Sequence, residues 1–472
     1  MENYNNSFVA AISIGSAHIT GIVGTKQEDG SIAAHSHIAV PAVDFISKGR
    51  IFNPEKMTKA LRDIREHLEN GVNRKISQMY VGINCMTMRS TPYQNSKTYH
   101  EQITITPEVI DQFLIENRQS RQADHTFLET IPLEYRMGTA TSNDPIGVMT
   151  DNIKVQYLNI VCHANIVDTI KLCFSKAGIN IANNNPIGSL SSNLCIATLQ
   201  LANCITTEQE RTGGCAIVDM GSETTTVAVY KGKLLRHLAV IPLGTNNITR
   251  DIAKVFTCDE SEAETLKKMA GYPDFENIDD SEIIHLREGN RVRKPSELAE
   301  IIEARVEEIL QNVKFQIDVT GFNRESLVNG LYITGIGSQL NNITKAFESI
   351  FKDWQLRQLP VPTRLRAKGT ESDFNQDGLY NVCLALIDSG EQECCGGFRE
   401  EPKPQPEEDL FGRTVEEPQL EEVEVKEIEE DKEEIVEKEE TKKKPKKEKK
   451  PGPSFWSRLK NKVEEMLSED TE

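Results

Sequence analysis

Two short stretches set glycine and hydroxyl groups at the end of apolar runs. Residues 11–23 read AISIGSAHITGIV and residues 217–229 read IVDMGSETTTVAV. Aligned without gaps, Gly15 meets Gly221, Ser16 meets Ser222 and Ser13 meets Asp219. Glycine lets a backbone turn come close to an anion, and the free N–H groups of such a turn bind it. Two such turns, Gly15-Ser16-Ala17-His18 and Gly221-Ser222 with Thr224 and Thr225, suit the phosphates of a nucleotide. The hydroxyls of Ser16, Ser222, Thr224 and Thr225 can add donors, and Asp219 sits where a carboxylate could hold Mg²⁺ through water. A third turn, Gly335-Ile336-Gly337, follows the apolar strand 331–333 and would let an adenine or ribose lie against the backbone. A lone Gly-x-Gly is more often an ordinary tight turn; the set of three, in this order, carries the reading.

The elements that must position these turns are also legible. Each stretch is an apolar strand, a small-residue turn and a second strand. A third strand follows at roughly 32–40 and again at 234–241, with Lys231-Gly232-Lys233 suiting a tight hairpin. A strand-turn-strand unit repeated once in each half predicts two similar α/β lobes facing each other. Asn53-Pro54-Glu55 opens a helix with Met57, Ala60, Leu61, Ile64 and Leu68 at helical spacing. A second helix over 166–177 stops at Gly178, and a third over 301–315 carries Ile302, Val306, Ile309, Leu310 and Val313 on one face. A helix is also expected after Gly337, to about Phe351. Residues 86–163 read as an inserted subdomain, with a helix start at Thr106-Pro107-Glu108 and strands near 126–131 and 153–162. A second insertion, mostly helical, covers about 254–315.

At 472 residues the chain exceeds the usual size of one hydrophobic core. Its net charge of -19 argues against wholesale nucleic-acid binding. Mean hydropathy is -0.45, and no apolar run is long enough to span a membrane. The N-terminus lacks the basic and apolar regions of a signal peptide. Ten cysteines are scattered without a Cys-x-x-Cys pair or a histidine cluster at metal spacing, which fits small core residues in a cytosolic, reduced protein. Beyond Leu386 the folded pattern fades. Residues 400–440 hold 19 acids and 5 bases, and residues 441–450 hold 7 bases and 1 acid. Such a segment buries too little apolar area to offset its ordering entropy, so disorder is expected from about Gly390 to Lys450.

The C-terminal stretch is sharply amphipathic. At about 100° per residue, Phe455, Trp456, Leu459, Val463, Met466 and Leu467 fall within an arc of about 120°, flanked by Lys460 and Lys462. Aromatic residues at its start suit a lipid headgroup boundary, and the upstream lysine run adds attraction to anionic lipid. The other reading is a helix that docks on the body or on a partner; the long tether and the lysines favour membrane. A nuclear-localisation signal is the weaker alternative for the basic run.

Together these features resemble the FtsA family of bacterial cell division proteins, within the actin/Hsp70 superfamily. The resemblance covers about 8–385 and the terminal helix. Its most specific stretch is 131–163, IPLEYRMGTATSNDPIGVMTDNIKVQYLNIVCH, similar to the family's inserted 1C subdomain. Further matches are 216–226, 240–252 (VIPLGTNNITRDI, with Gly244), 263–267 and 302–309. The resemblance implies an α/β, two-lobe actin-like (ribonuclease H-like) fold. Lobe 1A would span 1–85 and 164–204, with 1C at 86–163. Lobe 2A would span 205–253 and 316–389, with subdomain 2B at 254–315. A disordered linker over 390–452 and a membrane-targeting helix over 453–468 would follow. It further implies ATP or ADP with Mg²⁺ between the lobes, and Glu264, Lys267 and Arg305 facing the nucleoside. Actin-like filaments would form through 1C, and the C-terminal peptide of the tubulin-like FtsZ would bind 2B. The terminal helix would anchor the chain to the cytoplasmic face of the cell membrane at the division site, where it would recruit other divisome proteins.

The departures are informative. The family's first turn usually carries an acid and a lysine; here Ser13 and His18 stand in those places. A neutral histidine does not replace a permanent cation. Ser222-Glu223 replaces two glycines of the second turn, and Glu223 would add negative charge near the phosphates if it points inward. The third turn's middle glycine is Ile336. A retained fold, weaker nucleotide binding and little or no hydrolysis are expected. The alternatives on the same fold are a sugar-kinase-like phosphotransferase, which lacks an evident base, and a pilus-assembly ATP-binding scaffold.

Overall fold

Burial on both faces marks the centre of each sheet. The run Val9–Ile14 is almost wholly buried. It pairs antiparallel with His18–Lys26 and parallel with Gln78–Ile83. Ile32–Pro41 lies outside His18–Lys26, while Asn180–Ile181 and Leu194–Ile196 both run parallel to Gln78–Ile83. The second sheet repeats this order. Cys215–Met220, fully buried, pairs antiparallel with Thr225–Lys231 and parallel with Leu331–Thr334. Leu234–Ile241 and Leu356–Gln358 flank them. The registers match too: Ser13 lies opposite Thr20, and Asp219 lies opposite Thr226. The duplicated unit therefore builds two like sheets, each with a glycine turn at the same end of its central strand.

In this computed structural model the described residues are 7–120, 124–183, 193–274, 277–287, 291–359, 361, 367–368 and 377–398. The linker beyond Phe398 and the helix expected over 453–468 lie outside them.

Helix signals act as the sequence predicts. The Asn53 side chain accepts a hydrogen bond from Lys56 N–H at 3.1 Å and starts Pro54–Val72. Its stripe of Met57, Ala60, Leu61, Ile64 and Leu68 is buried. Ala164–Ala177 ends at Gly178, which takes a left-handed conformation. The helix expected over 301–315 is longer, Pro295–Asp318, because Pro295 and Glu297 make a good first turn and Leu298 extends the buried stripe.

The insertion comprises Arg89–Thr104, Pro107–Gln119, His125–Met137, Ala140–Ser142 and Met149–His163. It closes on its own apolar cluster of Ile105, Phe113, Tyr135, Met137, Ile153, Val155 and Tyr157. One backbone pairing, Arg89 with Ala239, joins its sheet to that of the second lobe. Over 254–315 lie Glu260–Ala270, a two-strand ribbon at Ile284–His285 and Val292–Arg293, and most of the long helix. Among the described residues no helix is long and apolar enough to cross a membrane. Nine of the ten cysteines are buried and Cys258 is half-buried.

The expected onset of disorder at Gly390 is corrected. Cys395–Phe398 is a strand paired antiparallel with Arg74–Ile76. Cys394 and Cys395 are buried, and the Arg74 guanidinium lies over Phe8 at 4.6 Å and Phe398 at 5.4 Å. The dense acidic run begins only after this short strand, which gains backbone pairing and the contact of Phe398 with Arg74.

Candidate functional site: a cleft between two glycine turns

The central strands deliver the same turn twice. Gly15 N–H donates to the His18 carbonyl at 3.1 Å, and Gly221 N–H donates to the Thr224 carbonyl at 2.8 Å. Each closes a two-residue bend, Ser16-Ala17 or Ser222-Glu223, whose N–H groups lie outside the strand ladder, a shape that can receive an anion. Ser13, Gly15 and Ser16 face Asp219, Gly221, Ser222 and Thr224 across one cleft of about 150 Å³, with Gly335 and Ile336 on its wall. The two stretches far apart in sequence thus share one site.

Asp219 is buried at the end of its strand. Its Oδ2 accepts from Thr198 Oγ1 at 2.7 Å and from Asn84 Nδ2 at 3.1 Å. Burial raises its pKa, partly opposed by these two hydrogen bonds. Gly335 has a φ of 83°, and a Cβ there would lie 2.5 Å from Asp219 Oδ1 and 2.6 Å from the Met220 carbonyl. Only glycine fits between the third turn and the carboxylate. Gly244 backs the second turn: a Cβ would meet the Ser222 carbonyl at 2.6 Å. The helix Thr245–Phe256 starts there, and the N–H groups of Thr245 and Asn246 donate to the carbonyls of Gly221 and Ser222 at 3.1 and 2.7 Å. Those helix donors fix the turn and are not offered to a ligand.

Several predicted residues do not line the cleft. Thr225 is buried, and its hydroxyl donates to the Leu243 carbonyl inside the second lobe. Gly337 packs against Met220 and Thr245. Ala17 accepts at its carbonyl from Ala42 N–H. His18 stands outside the lining, and burial holds its pKa below the ordinary histidine value, so it is neutral at pH 7. Glu264 and Lys267 pair with each other at 2.5 Å, and Lys267 also donates to Thr249 Oγ1 at 3.0 Å. Arg305 is held by Asp251 at 2.6 Å and by Glu308. None of these three lines the cleft: Glu264 and Lys267 pair within one helix, while Arg305 pairs with Glu308 of its own helix and with Asp251 of the neighbouring one. Glu223 does not point at the phosphates. It pairs with Arg250 and accepts from Ser47 Oγ and Lys48 N–H at 2.8 and 2.7 Å.

Among the described lining residues Asp219 is the one charged group. Backbone N–H groups, hydroxyls and a hard carboxylate oxygen suit a phosphate chain that brings its own Mg²⁺. The sequence reading missed Asn84, although a polar residue at the carboxyl end of a parallel strand is a signal that could find it. It also missed Thr198, Arg250 and the hairpin at 46–51, for which no local signal exists.

The sequence reading also found no histidine cluster at metal spacing, yet strand pairing brings His125 beside His163. Their ligand atoms and that of Asp124 lie within 4.8 Å of one another. His125 Nδ1 bonds Asp124 at 2.7 Å while Arg89 Nη2 reaches His125 Nε2 at 3.2 Å. A guanidinium only donates, which places the histidine proton on Nδ1 and fits a hydrogen-bonded triad.

Comparison with known proteins agrees with this frame. The family profile described as Cell division protein FtsA matches residues 216–377. The cell division protein FtsA of Porphyromonas gingivalis is 26% identical over 390 residues, covering 80% of this chain and 78% of that relative. That of Escherichia coli K12 is 24% identical over 416 residues, covering 84% and 94%. Among solved structures, the PilM-PilN type IV pilus biogenesis complex is similar with a TM-score of 0.53 at 12% identity, covering 82% of this chain and 97% of that one, a likeness of fold alone. With its two-lobed actin-like sheets, its insertion and these relatives, the chain is similar to the cell division protein FtsA in sequence and has an actin-like α/β fold.

Proposed function

We propose that this chain is a scaffold of the bacterial division machinery that binds a Mg²⁺-nucleotide between its lobes without appreciable turnover. The carrying observation is the pair of matched glycine turns facing across one cleft with Asp219 between them. The N–H groups of Ser16 and Ser222 and the hydroxyls of Ser16, Ser222 and Thr224 would hold phosphates. Asp219 would hold Mg²⁺ through water, and the metal would supply the positive charge that the lining lacks. The exposed side chain of Ile336 offers an apolar surface for the base or ribose.

Filament assembly through the insertion, capture of the FtsZ C-terminal peptide by residues 254–315 and lipid binding by 453–468 complete the reading. Polymerisation would multiply a marginal lipid affinity per helix into firm attachment. A phosphotransferase on this fold would need a base facing the phosphates, and Asp219 already accepts two hydrogen bonds.

Equilibrium dialysis of the full chain with ATP, with and without Mg²⁺, tests the cleft: Mg²⁺-dependent binding without phosphate release is expected. Co-sedimentation with anionic vesicles tests the anchor. The full chain should pellet and the chain lacking 453–472 should not. Absence of nucleotide binding, or a truncated chain that still pellets, would each refute its part.

A further inference from the structure

The hairpin between the first lobe's third strand and its first helix is wedged against both glycine turns. Ile46–Ser47 pairs with Arg50–Ile51, and Lys48 and Gly49 both have left-handed φ values, 50° and 72°. A non-glycine residue disfavours that conformation, so its neighbours must offset the strain. Gly49 N–H donates to Ser16 Oγ of the first turn at 3.0 Å. On the opposite side Ser47 Oγ and Lys48 N–H donate to one oxygen of Glu223, in the second turn, at 2.8 and 2.7 Å. The other oxygen of Glu223 pairs with Arg250 of the helix behind that turn. Glu223 is only 4% exposed, so these contacts are screened little by water. Burial alone would raise its pKa, but hydrogen bonds from Arg250, Lys48 N–H and Ser47 outweigh that and lower it. Asn84 and Thr198 make a second bridge of the same kind to Asp219. In this arrangement the cleft of about 150 Å³ is smaller than the roughly 300–1,000 Å³ of ordinary small-molecule pockets.

We infer that Glu223 is an interlobe clamp: by bonding the hairpin at 46–51 while anchored to Arg250, it holds the two lobes closed without nucleotide, so that nucleotide must displace it to enter. This deepens the nucleotide reading above, on which its regulatory meaning rests. It assigns to a protein carboxylate the interlobe contact that a bound phosphate chain would otherwise supply.

The test uses the full chain, carrying spin labels at Glu28→Cys and Glu325→Cys in a Cys258→Ser background, so that the buried native thiols stay unlabelled. Pulsed dipolar spectroscopy then reads the interlobe distance. The otherwise native chain should give one narrow distribution, the same with and without saturating Mg²⁺-ATP. Glu223→Gly should raise the open population at least about tenfold without nucleotide, as expected for losing charge-assisted hydrogen bonds, and Mg²⁺-ATP should close it again. Glu223→Gln keeps an acceptor for Lys48 N–H but loses the Arg250 pair, and should fall between them. It guards against misfolding of the glycine variant, and circular dichroism melts check both. A native chain that is open until nucleotide is added would overturn the clamp, as would a Glu223→Gly chain as closed as the native one without nucleotide. The nucleotide-free comparison needs no ligand. If dialysis finds no ATP bound, the nucleotide reading fails while the clamp is still decided.

Discussion

Gly335→Ala is the substitution whose cost the structure defines best, because two separable penalties meet there. The φ of 83° is one that a Cβ disfavours by about 1–2 kcal/mol. The added carbon would also lie 2.5 Å from Asp219 Oδ1, 2.6 Å from the Met220 carbonyl and 2.9 Å from Met220 N. Two of those atoms are backbone of a fully buried strand and cannot give way, and overpacking of this kind costs about 1–3 kcal/mol. A total of about 2–5 kcal/mol is expected, a large part of a typical stability of about 5–15 kcal/mol. Two other glycines isolate the terms. Gly30 has a φ of 75° with nothing within 4 Å of a Cβ, so Gly30→Ala carries the backbone penalty alone. Gly337 has no such φ but would place its Cβ 2.7 Å from Met220 Cβ and 2.8 Å from Thr245 Cγ2, so Gly337→Ala carries the overlap alone. Urea unfolding of the four proteins followed by circular dichroism should rank Gly335→Ala last, with a loss near the sum of the other two. A Gly335→Ala protein no less stable than Gly30→Ala would refute the tight packing of the third turn on Asp219. Relief of the clash by Asp219 would also show as weakened Mg²⁺-ATP binding in Gly335→Ala and not in Gly30→Ala.

The pH response of Asp219 should run opposite to that of most carboxylates. Its folded pKa is raised, mainly by burial, so its stabilising contribution is complete below the unfolded value of about 3.9 and is lost as pH rises through the folded one. Native protein should therefore be less stable than Asp219→Asn near neutrality, with the deficit shrinking as the pH is lowered; a deficit that grows on acidification would contradict the burial argument. Arg74→Ala removes a guanidinium from two aromatic rings at the last described strand, each contact contributing about 0.5–1 kcal/mol. Hydrogen exchange at Ser77, whose N–H donates to the Cys394 carbonyl at 3.0 Å, should rise about 5–30-fold, with nucleotide binding unchanged. Unaltered protection would show that strand pairing alone holds the segment.

What the sequence made legible is whatever is written within one element. Strand runs, the duplicated turns and the caps at Asn53 and Gly178 all depend on neighbours a few residues away, and all appear where the residues place them. The direction of Glu223 was not legible, because its acceptor role is set by a hairpin 175 positions earlier in the chain. Arg305 shows the same limit from the other side. A cation at a motif position carries no information about which distant carboxylate claims it: Glu264 is a local i,i+3 partner of Lys267, but helix packing supplied Asp251 to Arg305. The strand Cys395–Phe398 escaped notice because composition averages over a window, and a short uncharged segment is outvoted by the acidic run behind it.

The two lobes are therefore symmetric in backbone and asymmetric in charge, and this asymmetry bears on binding against turnover. Position 13 and position 219 are equivalent in register, yet only the second carries a carboxylate. That carboxylate has Oδ2 occupied by two donors and Oδ1 pressed against Gly335. With one oxygen accepting two hydrogen bonds and the other against the third turn, this carboxylate is poorly oriented to take a proton from an attacking water. Glycine turns need only their backbone shape to hold phosphates, whereas hydrolysis needs an oriented base and a cation on the departing charge. On the proposed reading, a chain that keeps the turns, has Ser13 where an acid could stand and turns Glu223 toward the hairpin is suited to holding a nucleotide rather than cleaving it.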